Sequence, residues 1–167
     1  MALVMTESGH VALALALSRQ EFWLALGGLP EGYENPWRVE EEPPAFDPQA
    51  GGLLEVYGYR RSARRAFARE DENGLIVAAG RRWSIADTPT RHLYLEFRLD
   101  PEDAAGKTVY QVGIFLGLIP KPEVPEGKLF LLPQEVADAG VLFMAENLRP
   151  FHRHEGVREV FEFVLTF

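Results

Sequence analysis

Apolar and polar residues alternate with a period of two in several stretches of this chain, and this alternation most restricts its fold. In His92 to Leu99, one face carries only Leu93, Leu95, Phe97 and Leu99, while the other face is polar or aromatic. In Val157 to Phe167, the same spacing places Phe161, Phe163, Leu165 and Phe167 on one face. Because successive side chains of a strand point to opposite sides, both stretches are predicted to be strands with one buried face.

Other apolar stretches predict further strands, and the N-terminal stretch predicts a helix. Thr6 is a suitable N-cap, Glu7 favours the start of a helix, and alanine and leucine dominate as far as Leu17. These features predict a buried helix, while the alternation over residues 11–17 leaves a strand as the alternative. The further strands are Leu53 to Phe67 with Gly58 inside it, Leu75 to Ala79, Val109 to Ile119, Lys128 to Leu132 and Val141 to Met144.

One helix and about seven or eight strands predict an α+β, β-rich domain whose strands form an antiparallel sheet, a barrel-like sheet or a sandwich. The 167 residues are typical of one domain, so we expect residues 1–167 to form a single domain. The last residue, Phe167, is apolar. We expect it to be buried in the sheet or in an interface, because free chain ends fray.

Residues 27–52 differ in composition from the rest of the chain and form an extended segment, the arm. The arm contains five prolines, five glycines and the acidic run Glu40-Glu41-Glu42, and neither a helix nor a strand period fits it. Long irregular segments within compact domains are usually functional. Trp37 and Phe46 would form an uncovered apolar patch if they were exposed. We therefore expect the arm to pack along its own sheet or against another subunit.

Five arginines form a basic cluster that is predicted to lie in one strand or hairpin: Arg60, Arg61, Arg64, Arg65 and Arg69. Such a cluster can bind phosphate or nucleic acid. The net charge of -8 and the pI of about 5.0 argue against nucleic acid as a partner. We expect the arginines to pair with acidic groups such as Glu40 to Glu42, within the chain or across a subunit boundary.

No catalytic motif is recognisable in the sequence, and we expect neither an enzyme nor a bound cofactor. The absence of cysteine excludes disulfides, thiolate metal sites and cysteine nucleophiles. His152 and His154 could form part of a metal site with Glu155, although no third ligand follows at a motif spacing. The acidic turns at 70–73 and 100–103 could bind calcium, but neither matches an EF-hand loop.

Composition also bears on location and source. The apolar run Val11 to Leu17 is far shorter than the roughly 20 residues that a membrane span requires. We therefore expect no membrane span and a soluble protein that is made in the cytoplasm. The 14 arginines, 3 lysines and 12 prolines are typical of a thermophilic source, although a GC-rich genome produces the same excess of arginine.

Several short blocks follow one another in a characteristic order along the chain. The first are Phe22-Trp23-Leu24-Ala25-Leu26-Gly27, Asn35-Pro36-Trp37, Glu42-Pro43-Pro44, residues 54–61 and residues 110–116. The later ones are Leu131-Leu132-Pro133, Gly140-Val141-Leu142, Glu146-Asn147, Pro150 and Gly156-Val157-Arg158-Glu159-Val160. This order resembles a family of small tail or baseplate proteins of tailed bacteriophages, most specifically in the last third of the chain.

The resemblance implies a structural component of the virion rather than an enzyme. Its partners would be other tail or baseplate proteins, and several copies would be present in each particle. It also implies structural roles for Glu146, Asn147, Arg158 and Glu159. The candidate interface residues are Trp37, Phe46, Arg60, Arg61, Arg64, Arg65 and Phe167. The alternative function is that of a free-standing, β-barrel-like domain that binds a small ligand or a host protein.

Overall fold

The computed structural model describes residues 2–34, 37 and 40–167. The chain divides into two compact units, each built from separate stretches of sequence. Unit 1 comprises Met1–Gln20, Ser62–Arg98 and Val160–Phe167, and unit 2 comprises Glu21–Arg61 and Leu99–Glu159. The single domain expected over residues 1–167 stays a prediction.

One α-helix and twelve strands form the secondary structure of the described residues. The helix α1 is Glu7–Ser18. The strands are β1 (Phe22–Gly28), β2 (Glu55–Arg61), β3 (Arg64–Glu70), β4 (Ile76–Ala78), β5 (Arg81–Ala86), β6 (His92–Leu99), β7 (Thr108–Leu116), β8 (Ile119–Pro120), β9 (Phe130–Leu131), β10 (Val136–Asp138), β11 (Val141–His152) and β12 (Glu159–Thr166). The predicted β-rich, antiparallel fold with an N-terminal helix is confirmed. Several of the strands beyond the expected number are only two or three residues long.

The N-terminal segment is helical, as preferred from its sequence. The Thr6 side chain accepts a hydrogen bond from the backbone N–H of Gly9 at 3.2 Å and so caps α1. The expectation that this helix is buried is wrong. Of its twelve residues only Ala14 is buried, and Leu13 is 40% exposed. Helix propensity and a good N-cap therefore identify this element better than its apolar content does.

Unit 2 contains a five-stranded sheet in the order β11-β7-β1-β2-β9, with antiparallel neighbours throughout. All seven residues of β1 are buried, as expected for a strand paired on both sides. A hydrophobic cluster packs on this sheet and includes Trp23, Tyr59, Phe115 and Leu131. Gly58 occurs within β2 because a Cβ there would lie only 2.2 Å from Cζ of Phe130. Strands β8 and β10 form a separate antiparallel pair.

Unit 1 contains a second five-stranded sheet in the order β12-β6-β3-β5-β4. Leu93, Leu95, Phe97 and Leu99 of β6 are all 0% exposed, which confirms the alternation seen in the sequence. The C-terminal strand β12 lies beside β6, where the rings of Phe97 and Phe163 meet edge to face with centroids 6.1 Å apart. On the opposite face, a second cluster joins Ala68, Ala78, Trp83 and Tyr94.

Three sequence expectations about strands need correction. The predicted strand from Leu53 to Phe67 breaks after Arg61, and its two parts, β2 and β3, belong to different sheets. The backbone N–H of Ala63 donates to the Glu96 carbonyl at 2.8 Å, so the chain already follows β6 at that point. Strand β5 was not predicted, and β11 is much longer than the predicted Val141 to Met144.

Within the described part of the chain, no helix is long and apolar enough to cross a membrane.

Candidate assembly interface

The arm is fastened to the sheet of unit 2 through Trp37. This side chain is 5% exposed, and its indole Nε1 donates a hydrogen bond of 2.8 Å to the backbone oxygen of Leu148 in β11. Its ring meets the edge of Tyr110 with centroids 6.3 Å apart. Residues 35, 36, 38 and 39 lie outside the described residues, so the Asn35-Pro36-Trp37 block is described only at Trp37. We expected the arm to pack along its own sheet or against another subunit, and at Trp37 it packs on its own sheet.

A pair of amides on adjacent strands holds a second point of the arm and the residues just after it. Gln111 of β7 and Asn147 of β11 are directly opposite each other, and the Gln111 amide donates to the Asn147 amide oxygen at 2.8 Å. Asn147 in turn donates to the carbonyl of Pro44 at 2.9 Å. The Gln111 amide oxygen accepts from the backbone N–H of Leu54 at 2.8 Å. The amide pair therefore joins the arm and the residues just after it to the centre of the sheet.

The acidic side chains of the described arm residues lie at the surface. Glu31, Glu34, Glu40, Glu41, Glu42 and Asp47 are all exposed. Tyr33 is 49% exposed, and Phe46 is half-buried. The described residues of the arm thus form an acidic ridge with an exposed aromatic ring.

The acidic turn between β6 and β7 is held by two buried arginines of unit 2. Arg60 Nη1 lies 2.9 Å from Asp100 Oδ2 and 2.8 Å from Asp103 Oδ2. Arg153 is 0% exposed and donates to the carbonyls of Asp103 at 3.2 Å and Asp100 at 2.8 Å. Its Nη1 lies 3.1 Å from Glu159 Oε1 without hydrogen-bond geometry. The Asp100 and Asp103 carboxylates, considered from the sequence as calcium ligands, are therefore paired with a guanidinium.

Burial affects the Asp103 carboxyl of this turn. Burial, the largest cause, raises the pKa of the Asp103 carboxyl, while the backbone N–H of Asp100 and the Arg60 guanidinium oppose that shift. The Asp100 N–H and the Arg60 guanidinium thus favour the charged form of this buried carboxyl. The turn is therefore a structural ion-pair site.

The remaining cluster arginines are divided between the two units. Arg61 in unit 2 forms an ion pair with Glu21. In unit 1, the Arg64 guanidinium lies 5.9 Å from the centre of the Tyr94 ring, and Arg65 donates to the backbone carbonyl of Gln20. The prediction of one basic strand or hairpin is wrong because the chain changes sheet between Arg61 and Arg64. The interface role of these arginines stays a prediction.

His152 and His154 lie beside each other, and His152 also lies near a threonine hydroxyl. The rings of His152 and His154 meet edge to face with centroids 5.1 Å apart, and His152 Nδ1 lies 3.3 Å from Thr108 Oγ1. Among the described residues, no group of three or more His, Asp or Glu side chains could hold a metal ion.

The C-terminal residue, Phe167, is half-buried, and its backbone N–H donates to the Arg91 carbonyl at 3.0 Å.

An open cleft of about 780 Å³ lies over β2 in unit 2. Its lining combines charged side chains such as Arg60, Asp103 and Lys107 with the apolar side chains of Leu129 and Leu132. Arg60 and Asp103 are already paired with each other, and the Lys107 ammonium lies 5.3 Å from the centre of the Tyr57 ring. These three charged side chains therefore interact with neighbouring side chains of the cleft walls.

Sequence reasoning missed Gln111, Asp103 and Arg153 as organising residues. Gln111 carried a usable signal, since an amide within the apolar strand Val109 to Ile119 must find hydrogen-bond partners if it is buried. Arg153 carried no such signal, because its acceptors lie 50 and 53 residues away in the sequence.

Asn147 hydrogen-bonds to Gln111 and to the Pro44 carbonyl, and Glu159 lies 3.1 Å from Arg153 Nη1. The structural roles that the resemblance implies for Glu146, Asn147, Arg158 and Glu159 stay a prediction.

Comparisons with known proteins agree with the resemblance. A family model described as "Baseplate wedge 3 tail fiber network component" matches residues 1–167, the whole chain. The chain is also 30% identical over 169 residues to "Virion protein 3" of Enterococcus phage phiEF24C, covering 94% of this chain and 90% of that protein. The predicted relationship to phage tail or baseplate proteins is confirmed. The chain belongs to the family of baseplate wedge 3 tail fiber network components, which are structural proteins of the bacteriophage virion.

Proposed function

We propose that this protein acts in virion assembly through protein–protein contacts with other tail or baseplate proteins, in several copies per particle, and that the arm supplies one of these contacts. The family supports the assignment to the baseplate. The observation that carries the role of the arm is its ordered attachment through Trp37 and the Gln111–Asn147 pair while six acidic side chains stay exposed. A segment ordered in advance loses less conformational entropy when it binds.

The exposed acids also favour a role in choosing the partner. Charged groups at the rim of an interface mainly set specificity and association rate. A ridge with several negative charges disfavours an acidic surface and favours a basic one. The contact is therefore expected to weaken as the salt concentration rises, because exposed charges are screened.

The test is incorporation into particles. A phage that lacks the gene is complemented with the wild-type chain or with a triple variant carrying E40Q, E41Q and E42Q, and purified virions are analysed by quantitative mass spectrometry. We expect the wild-type chain in the particles and a clearly smaller amount of the triple variant. The control carries E123Q and E126Q, which alter two exposed acids of unit 2 outside the arm.

Two outcomes would contradict the proposal at different levels. If the wild-type chain is absent from purified virions, the structural role in the particle is wrong. If the triple variant is incorporated as well as the control, the charged side chains of the arm make no contact that assembly requires.

For the alternative of a free-standing ligand-binding domain, the cleft over β2 is a candidate site. Two of the charged groups that line it, Arg60 and Asp103, are engaged with each other. A ligand would have to break this buried pair, which is costly. We therefore retain assembly as the proposed function.

A further inference from the structure

The outer strands of the two five-stranded sheets differ in how they are protected against pairing with another chain. An outer strand presents unpaired N–H and C=O groups, and proteins protect it with charged residues, proline, a short length or a covering segment. Strand β11 contains Pro150 and is covered at Leu148 by the Trp37 indole, and β12 contains Glu159 and Glu162. Strand β9 is only two residues long. Three of these four outer strands therefore have a recognisable protection.

The fourth outer strand, β4, lies in a neutral apolar segment. Residues 74–80 include no charged residue and no proline, and all five residues between the two glycines are apolar. Leu75 is 94% exposed and Val77 is 60% exposed. Val77 is opposite Arg82 and shares its face of the sheet, whereas Leu75 lines a cavity together with Trp83, which projects from the other face. Apolar surface is thus present on both sides of this edge, where an added strand would contact it.

The backbone of β4 also presents hydrogen-bonding groups at this edge. Strands β4 and β5 are joined by Ala79 and Gly80, whose φ angles of 51° and 71° are typical of a type I′ turn. Such a turn is closed by a hydrogen-bonded pair, here Ala78 and Arg81. Hydrogen-bonded and non-hydrogen-bonded pairs alternate along antiparallel strands, so the N–H and C=O groups of Val77 point away from β5. They therefore point to the side of β4 on which the described sheet has no further strand.

A second copy of β4 is complementary to this edge in the antiparallel orientation. If Val77 lies opposite Val77 of the second copy, the two residues exchange both of their hydrogen bonds. Leu75 then lies opposite Ala79, and Ile76 lies opposite Ala78, so each large side chain meets a small one. None of these residues is charged, so the pairing brings no like charges together. The flanking residues carry three positive and three negative charges in each copy: Arg69, Glu70, Asp71, Glu72, Arg81 and Arg82.

We propose that two copies of this protein associate through β4, so that the sheet of unit 1 in one copy continues into the same sheet of the other across two antiparallel β4 strands. Both copies use the same surface, so the contact is isologous and closes at two chains. This inference rests on the proposed presence of several copies in each particle, and it names a contact between them that does not involve the arm.

The contact is expected to be weak and to resist salt. A seam limited to residues 75–79 of each copy buries less than the roughly 1,200 Å² of a stable complex. Copies held side by side in a particle have a high effective concentration, which compensates for a low affinity. Backbone hydrogen bonds and apolar contacts form the seam, so added salt should not dissociate the pair, in contrast to the proposed contact of the arm.

Disulfide cross-linking of the purified full chain tests the pairing directly, because the sequence contains no cysteine. In the paired strands, Val77→Cys places two thiols on residues whose Cα atoms are about 5.5 Å apart, a separation that permits a disulfide. The matched control is Val160→Cys, since Val160 is 55% exposed and also belongs to unit 1. Under mild oxidation we expect Val77→Cys to form covalent dimers at least about tenfold faster than the control.

Sedimentation velocity at increasing protein concentration gives a second measurement. The wild-type chain should approach the mass of two chains and no more, at low and at high salt. Val77→Lys introduces a charge into the seam and should weaken the association by at least about tenfold, whereas the neutral, β-branched side chain of Val77→Thr should retain it. Val160→Lys adds the same charge outside the seam and should leave the association unchanged. Circular dichroism checks that each variant is folded.

Equal cross-linking rates of Val77→Cys and Val160→Cys overturn the inference. Association that Val77→Lys leaves unchanged, that grows beyond two chains or that high salt abolishes overturns it too. These results leave incorporation into virions untouched, whereas absence of the chain from virions contradicts the proposed function itself.

Discussion

Replacement of Arg153 by methionine tests whether the buried arginine at the end of β11 holds the acidic turn in place. Methionine keeps an unbranched apolar side chain and removes the guanidinium. The backbone carbonyls of Asp100 and Asp103 then lose their donors, and Glu159 loses its partner at 3.1 Å. The side chain of Arg153 is 0% exposed, so water cannot replace these interactions without opening the turn.

The expected cost follows from these contacts. A hydrogen bond to a charged group contributes about 1.5–3 kcal/mol, and removing one partner of a buried ion pair costs about 3–5 kcal/mol. Glu159 is 28% exposed and is partly solvated, so its share is at the low end. We expect Arg153→Met to lower the free energy of unfolding by about 3–5 kcal/mol, a large part of the roughly 5–15 kcal/mol typical of whole domains.

The assay is urea denaturation of the purified chain, followed by fluorescence and circular dichroism. The matched control is Arg158→Met, because Arg158 is 80% exposed and lies 3.7 Å from an oxygen of the same Asp100. That change should stay within about 0.5 kcal/mol. Arg153→Lys should fall between the two, since lysine keeps the charge but not the planar fork of donors. Equal effects of Arg153→Met and Arg158→Met would refute the structural role of the buried guanidinium.

Three further predictions concern stability. Trp37→Phe should lower the free energy of unfolding by about 1 kcal/mol, because it removes the hydrogen bond to Leu148, and urea denaturation measures this. Phe163→Ala should cost about 2 kcal/mol for a half-buried ring packed on Phe97, against little change for Val160→Ala, which alters a side chain that is 55% exposed. Burial and the charge of Arg91 hold the pKa of His92 below its ordinary value of 6.5. The unfolded chain therefore binds the proton more readily, and stability should fall as the pH drops from 6.5 to the lower pKa of the folded state. His92→Gln should remove this part of the pH dependence of Tm, and an unchanged pH profile would contradict the assignment.

The elements that the sequence predicted well are those whose signal is local. The alternation in β6 depends on residues two apart, and the N-cap of α1 depends on a threonine three residues before the N–H that it binds. Such local patterns predict the structure well because the apolar face that they create is the face that becomes buried in the fold. The break between β2 and β3 has no comparable signal, since arginine, alanine and aromatic residues continue across it.

The ion pairs could not be predicted, because their partners are distant in the sequence. Arg60 was expected to meet acids such as Glu40 to Glu42, yet its partners are Asp100 and Asp103. Glu162 of β12 is exposed, as alternation predicts, and it also accepts a hydrogen bond of 2.6 Å from the Tyr94 hydroxyl, which the sequence does not indicate. Burial raises the pKa of this hydroxyl strongly, with help from the Glu162 and Glu96 carboxylates. The sequence thus gives the number of charged residues, whereas the fold decides which of them form ion pairs.

The arm uses different chemical groups for its attachment to its own sheet and for the proposed contact with a partner. The arm holds six acidic residues against one arginine, and the repulsion between the acidic side chains favours an extended segment. The hydrogen bonds described above that attach the arm to its sheet involve neutral groups: the Trp37 indole, the Gln111 and Asn147 amides, and backbone carbonyls. Neutral hydrogen bonds and buried rings respond weakly to salt, whereas exposed charges are screened within about 10 Å at 0.1 M ionic strength. High salt should therefore release a basic partner from the arm while the arm stays attached to its own sheet, so that the fold is preserved when the assembly contact is lost.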